Sequence, residues 1–186
     1  MITIRPYQPS DKENVRRVCM HLAPEEPTPA LLGPAHSPGL STFCDYYIEC
    51  EPQNCFVADD GGTAVGCIWC AEEYRRYYRR FKKDYLANMS LRKRVNYWGA
   101  ARMPVFFAKK YPAHLHIDVL NAYQRQGLGF QLMDALTTHL RGKGVPGVML
   151  VVGESNEKGR NFYRKYGFRQ IARLGGIVLG LDLREG

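Results

Sequence analysis

The chain has 186 residues, 45% hydrophobic and 24% charged, which suits one globular domain with a sizeable core. The N-terminal stretch holds no apolar run long enough for a signal peptide, and no run approaches the length of a membrane span, so a cytoplasmic protein is expected and a membrane partner is not. The formal net charge is +8, and the excess is local: Arg75 to Lys110 carries twelve Lys and Arg against Asp84 alone, while the rest of the chain is slightly acidic.

In chain order, Ile2–Arg5 reads as a first strand and Asp11–His21 as a first helix, opened by Ser10 and Asp11. Pro24 to Pro38 is a Pro-rich loop, and Thr42–Cys50 a second helix. Cys55–Ala58 and Thr63–Glu72 form a hairpin over Asp59-Asp-Gly-Gly62. Tyr74–Lys110 is a basic, helical segment in which Tyr74, Tyr77, Tyr78 and Phe81 alternate with Arg and Lys. That is the pattern of a helix with one solvated face. The same charge offers a recognition surface for an acidic partner. No recognised nucleic-acid fold accompanies it, so nucleic acid is not the expected partner.

Ala113–Leu120 reads as a fourth strand. Phe130, Met133, Leu136 and Leu140 then recur at helical spacing. Gly147–Val152 is a buried strand, Asn156–Tyr166 a helix, and Phe168–Arg173 and Ile177–Leu183 two closing strands. The whole is a single mixed α/β domain, 1–186, of about six or seven strands.

The six cysteines, Cys19, Cys44, Cys50, Cys55, Cys67 and Cys70, show no metal-site spacing with histidines, and no metal is expected. Cys67 and Cys70 are formally a C-x-x-C, but residues three apart on a strand point to opposite faces.

Between the fourth strand and its following helix lies Gln124-Arg125-Gln126-Gly127-Leu128-Gly129. The first amides of a helix have no intrahelical acceptor and carry the positive end of the helix dipole. Glycines there let backbone approach an anion closely, so a phosphate or pyrophosphate is the natural ligand. The loop lacks the Lys-Ser/Thr of an ATP-binding P-loop, and its glycine spacing is not that of a dinucleotide fold.

The loop resembles the Gln/Arg-x-x-Gly-x-Gly/Ala signature of the GNAT family of N-acetyltransferases. A later block, Asn156 followed by Phe162-Tyr163 and Gly167-Phe168, resembles that family's closing motif. The stretch 113–129 is also similar, more weakly, to the acetyltransferase-like domain of O-GlcNAc hydrolases and its bacterial relatives, some of which do not use acetyl-CoA.

The resemblance implies a GNAT-like fold, a central mixed, mostly antiparallel sheet of about six or seven strands flanked by helices, with 74–110 as an insertion before the fourth strand. It also implies acetyl-CoA as cosubstrate, with direct transfer of the acetyl group to an amine on a small molecule or peptide. It also leaves room for a homodimer, and for a catalytically inert binding module as the alternative. It further implies that Gln124, Arg125, Gln126, Gly127, Leu128 and Gly129 hold the pyrophosphate. Backbone groups of Val119 and Leu120 would hold the pantetheine arm, which Asn156 touches while capping its helix.

Tyr163 falls on the family's general-acid position, against a reading as a packing tyrosine. Tyr166, one turn on, reads as packing. Asp118 is the odd residue: a carboxylate in an apolar strand is costly unless paired or solvated. It shares a strand face with His114 and His116, and it either takes the amine proton or is held structurally by a neighbouring loop. The family's frequent strand Glu has no counterpart here, since that position is Ala113.

Overall fold

The computed structural model describes residues 1–21, 40–85, 91–92, 102–173 and 175–184. The expected Pro24–Pro38 loop and part of the 74–110 segment lie outside the described residues.

Seven strands are present: β1 (Thr3–Pro6), β2 (Cys55–Asp60), β3 (Thr63–Ala71), β4 (Ala113–Val119), β5 (Gly147–Val152), β6 (Arg169–Arg173) and β7 (Ile177–Asp182). They form one mixed sheet in the order β1-β2-β3-β4-β5-β7-β6. β4 and β5 run parallel, registered at Ala113–Val148 and His114–Met149. The ladders β1–β2, β2–β3, β5–β7 and β6–β7 are antiparallel. The helices are α1 (Lys12–Cys19), α2 (Tyr46–Cys50), α3 (Tyr74–Arg80), α4 (Leu128–Gly142) and α5 (Glu157–Tyr166). This is the single α/β domain with a mixed, helix-flanked sheet that the patterning and the family resemblance together predict.

Within the domain, backbone packing groups residues into two compact units, Met1–Cys70 with His116–His139, and Ala71–Leu115 with Leu140–Gly186. In the first, the hairpin turn is tighter than expected. Asp59 and Asp60 stay in β2 and pair with Ala64 and Thr63 after a bulge at Ala58/Asp59. The turn is Gly61-Gly62 alone, with φ of 59° and 93°. Two consecutive positive φ values are what a two-residue primed hairpin turn requires, and glycine supplies them without steric cost. Val15, Val18, Tyr47, Val57, Ile68, Trp69, Leu132, Met133 and Leu136 are buried. Among them runs an ion pair, Arg16 Nε to Asp45 Oδ1 at 2.8 Å, itself out of water.

The buried stripe of α4 is Leu128, Leu132, Met133, Leu136 and Leu140. Phe130, expected to join it, is 40% exposed. It lies two residues from both Leu128 and Leu132, about 200° around the helix from each, so the stripe that buries them turns Phe130 outward.

In the second unit α3 buries Tyr74 and Tyr77, and Phe81 follows them inward, while Arg75, Arg76, Arg79 and Arg80 are exposed. The solvated basic face is therefore real. Tyr111 precedes β4 and lays its ring where side chains on Gly147 and Gly180 would otherwise stand. A Cβ on either glycine would come within 2.8 Å of that ring.

Candidate active site

Three short segments carry the expected chemistry. The first is the turn after β4. Gln124 is exposed and its Nε2 donates to Val119 O at 3.0 Å and Asn121 Oδ1 at 3.1 Å, which ties the loop back to the strand it leaves. Gln126 Nε2 donates in the same way to Ala122 O at 3.1 Å. Arg125 and Gly127 take positive φ, 63° and 82°. A non-glycine residue in that region is uncommon and costs free energy, so the turn is held in a definite shape.

Gly127 O accepts from the amides of Phe130 and Gln131 at 3.0 and 3.1 Å, which places Gly127 at the cap of α4. Residues Gln124 to Gly127 are exposed and Leu128 is buried. The result is an open, glycine-capped helix N-terminus, able to meet an anion. Of the two strand-end residues, Val119 O is engaged by Gln124, and Leu120 N–H by Val65 O at 3.0 Å. Both groups are therefore already spoken for within the chain.

β4 is the second segment. Its alternate residues His114, His116 and Asp118 meet three different environments. His114 is buried against Tyr74 and Tyr77, with ring centroids at 4.9 and 6.2 Å. His116 is met edge-on by Phe43 at 5.2 Å and Tyr47 at 5.5 Å, and burial lowers its pKa to about 4. The ring is therefore neutral at physiological pH.

The Asp118 side chain is 25% exposed, and burial raises its pKa to about 7. Low polarity disfavours the charged form of either residue, which moves an acid up and a base down. The strand passes close to β3 here: a Cβ on Gly66 would lie 3.1 Å from Val119 Cγ2 and 3.4 Å from Asp118 O.

His21 was not foreseen. Its Nε2 stands 3.8 Å from Asp118 Oδ1. It follows the end of α1 with φ of 57°, and its amide donates to Val18 O at 2.9 Å. Sequence offered only a histidine at the end of a helix, a common place for one, and nothing local joined it to Asp118.

α5 is the third segment. Asn156 caps it, Oδ1 accepting from Gly159 N at 2.8 Å. Gly167 closes it in the left-handed region, φ 115°, and Phe168 N returns to Tyr163 O at 3.0 Å. Both ends follow the capping chemistry expected of Asn and Gly. Tyr163 is half-buried, edge-on to Phe162 at 5.2 Å and to Phe168 at 5.7 Å. Tyr166 is half-buried too, 6.2 Å from Phe168. Burial alone does not rank the two phenols.

Among the described residues no group of three or more His, Cys, Asp and Glu stands together to hold a metal ion, and no helix is long and apolar enough to cross a membrane.

Residues 19–168 match the model of the acetyltransferase (GNAT) family. Over 98% of both chains the structure superposes on that of SsHAT with a TM-score of 0.81 at 30% identity. It has the fold of Ard1 from Thermoplasma volcanium, with a TM-score of 0.62, 23% identity and 97% of both chains covered. It shares that fold with PaiA N-acetyltransferase from Thermoplasma acidophilum, solved in complex with coenzyme A. There the TM-score is 0.58 and the identity 15%, over 98% of this chain and 99% of that one. With the family model spanning most of its length and the turn, strand and capped helix in the family's order, this chain belongs to the GNAT acetyltransferase family.

Proposed function

We propose that the chain is an acetyl-CoA-dependent N-acetyltransferase, transferring acetyl directly to an amine of a small molecule or peptide. The observation that carries this reading is the exposed, glycine-capped turn Gln124–Gly129 at the start of α4, with Arg125 and Gly127 at positive φ. A coenzyme A complex of a chain with the same fold supports it. The whole chain, 1–186, acts as one acetyltransferase domain, and the basic segment 74–110 is an insertion in it.

Acetyl-CoA supplies an activated acyl group with a thiolate leaving group. The chain's own residues do the rest. The first amides of α4, with Gln124, Arg125, Gln126 and Gly127, bind the pyrophosphate. The family resemblance assigns the pantetheine arm to backbone at Val119 and Leu120 and to Asn156, in place of the bonds to Gln124 and Val65 that Val119 O and Leu120 N–H make within the chain.

Asp118 receives the proton of the attacking amine. A carboxyl with a pKa of about 7 is a far better base at neutral pH than an ordinary aspartate. Nitrogen bonds to the acetyl carbon, the carbon–sulfur bond breaks, and Tyr163 Oη gives its proton to the departing sulfur and takes one back from solvent. His21, with Nε2 3.8 Å from Asp118 Oδ1, is placed to relay the proton to solvent through one water.

The test is titration calorimetry and thermal melting with acetyl-CoA, followed by an amine library. A ligand specific to the folded state raises the melting temperature by mass action, about 2.7 kcal/mol at a hundredfold excess over Kd. No heat and no shift at saturating acetyl-CoA would reduce the chain to an inert binding module of the same fold.

A further inference from the structure

We propose that the second compact unit carries a separate docking cleft for an acidic peptide bearing a large apolar side chain. The cleft measures about 540 Å³ and is lined by Phe106, Phe107, Lys109, Lys110, Tyr111 and Ile171. Its apolar wall is built rather than incidental. Tyr111 is buried and occupies the room left by Gly147 and Gly180, neither of which could carry a Cβ beneath that ring without displacing it. Ile171 is the extra residue of a β-bulge in β6, between Gln170 and Ala172, and has no partner on β7. Bulges re-aim side chains, and this one lines the cleft. Phe106 is 72% exposed, a large apolar surface offered to solvent.

The rim is cationic. Lys109 and Lys110 are exposed, and Lys110 Nζ stands 5.3 Å from the Tyr111 ring centroid. Arg169 is paired opposite Gly180, so it shares the sheet face on which Tyr111 lies. Asp182, which feels the charge of Lys110, is bound by Arg184, whose hydrogen bonds hold it well below the usual carboxylate range. Helix α3, which packs against residues 103–106, and the turn after it add Arg75, Arg79, Lys82 and Lys83, all exposed. Apolar walls with this rim fit a ligand that is greasy in the middle and negative at its ends.

A peptide is favoured over a nucleic acid by the strand that bounds the cleft. β6 is the last strand of the sheet and pairs only with β7 among the described residues. Its outer edge offers amides and carbonyls at the spacing of an extended peptide, with side-chain pockets beside them giving selectivity.

The experiment is fluorescence anisotropy on the full chain with the labelled hexapeptide Glu-Asp-Phe-Leu-Asp-Glu. Controls are the same peptide with Ser-Ser at its centre and a hexamer of thymidylate. Saturable binding of the first peptide is expected, weaker about tenfold with Phe106→Ala and at least about tenfold with Lys109→Glu/Lys110→Glu.

Phe106 is exposed enough that its substitution leaves folding intact, which a melting curve checks. No saturable binding, equal binding of the Ser-Ser peptide, indifference to Phe106→Ala, or tighter binding of the thymidylate hexamer would each overturn the proposal. None of these readouts depends on acetyl-CoA, so the docking site and the transferase reading fail separately.

Discussion

His116 and Asp118 stand two residues apart on one face of β4, and the same burial moves them in opposite directions, His116 down to about 4 and Asp118 up to about 7. The consequence is two opposed dependences of stability on pH. An unfolded His titrates near 6.5, so His116 contributes stability above that pH and loses it as pH falls from about 6.5 through 4. An unfolded Asp titrates near 3.9. The folded protein therefore takes up the Asp118 proton first, and stability is gained as pH falls from about 7 towards 4. Between pH 4.5 and 6.5 the two nearly cancel.

Removing either one exposes the other. Asp118→Asn is expected to lose stability on acidification from about pH 6.5 to 4.5 more steeply than wild type, and His116→Asn to gain it. Each slope is bounded by the single-proton value of about 1.4 kcal/mol per pH unit. Urea unfolding at a series of pH values measures both. Parallel curves for wild type and Asp118→Asn would mean that Asp118 titrates near its unfolded value.

Gly127 tests the anion cradle. With φ of 82° it holds a conformation that costs an L side chain about 1–2 kcal/mol, so any substitution there lowers stability somewhat. Gly127→Ala carries the strain alone. Gly127→Glu adds a negative charge where a pyrophosphate is expected. Both variants should melt lower than wild type, but only Gly127→Glu should lose the acetyl-CoA shift altogether, and calorimetry separates the two effects.

The two phenols of α5 are ranked by turnover. Tyr163→Phe should lower kcat by about 10²-fold or more with coenzyme affinity little changed, because a general acid acts mainly in the transition state. Tyr166→Phe should be mild. The reverse ranking would move the acid to Tyr166, whose burial and ring contacts are similar.

Tyr111 and Gly180 are expected to be strongly coupled. A Cβ at Gly180 lies 2.8 Å from Tyr111 Cζ and within 3.0 Å of both Cε atoms, so the ring or the strand must shift to admit it. Overpacking of this kind costs about 1–3 kcal/mol. Gly180→Ala should pay that in the wild-type background and almost nothing in a Tyr111→Ala background. Chemical denaturation of the four proteins closes the cycle.

What could be read from the chain follows from how local each signal is. The loop, the Asn156 cap, the Gly167 stop and β5 were legible because each is set by residues within a few positions. Phe130 was misplaced because an apolar residue in a helical pattern does not say which side of the stripe's edge it falls on. Asp59 and Asp60 read as turn residues because Asp favours turns, yet the Gly61-Gly62 pair completes the turn unaided and leaves both in the strand. The approach of His21 to Asp118 joins the end of α1 to the end of β4, and no local pattern announces a contact between residues so far apart in sequence.

Asp118 as the base makes the sharpest claim on the pH dependence of the reaction. With a pKa of about 7, the carboxylate is half-formed at neutral pH, so kcat/KM for wild type should rise through pH 7 before levelling, apart from the amine's own ionisation. Asp118→Asn keeps size and most hydrogen bonding but cannot accept the proton. It should lose that limb and be slow at pH 7, and the deficit should shrink at high pH, where more of the amine is already neutral. His21→Ala should leave Asp118→Asn unaffected but shift the wild-type limb, since a neighbouring imidazole 3.8 Å away influences the carboxylate only while the carboxylate is there. A folded Asp118→Asn protein whose pH–rate profile runs parallel to wild type, with an undiminished gap, would remove Asp118 from the proton path and leave the amine to lose its proton to water.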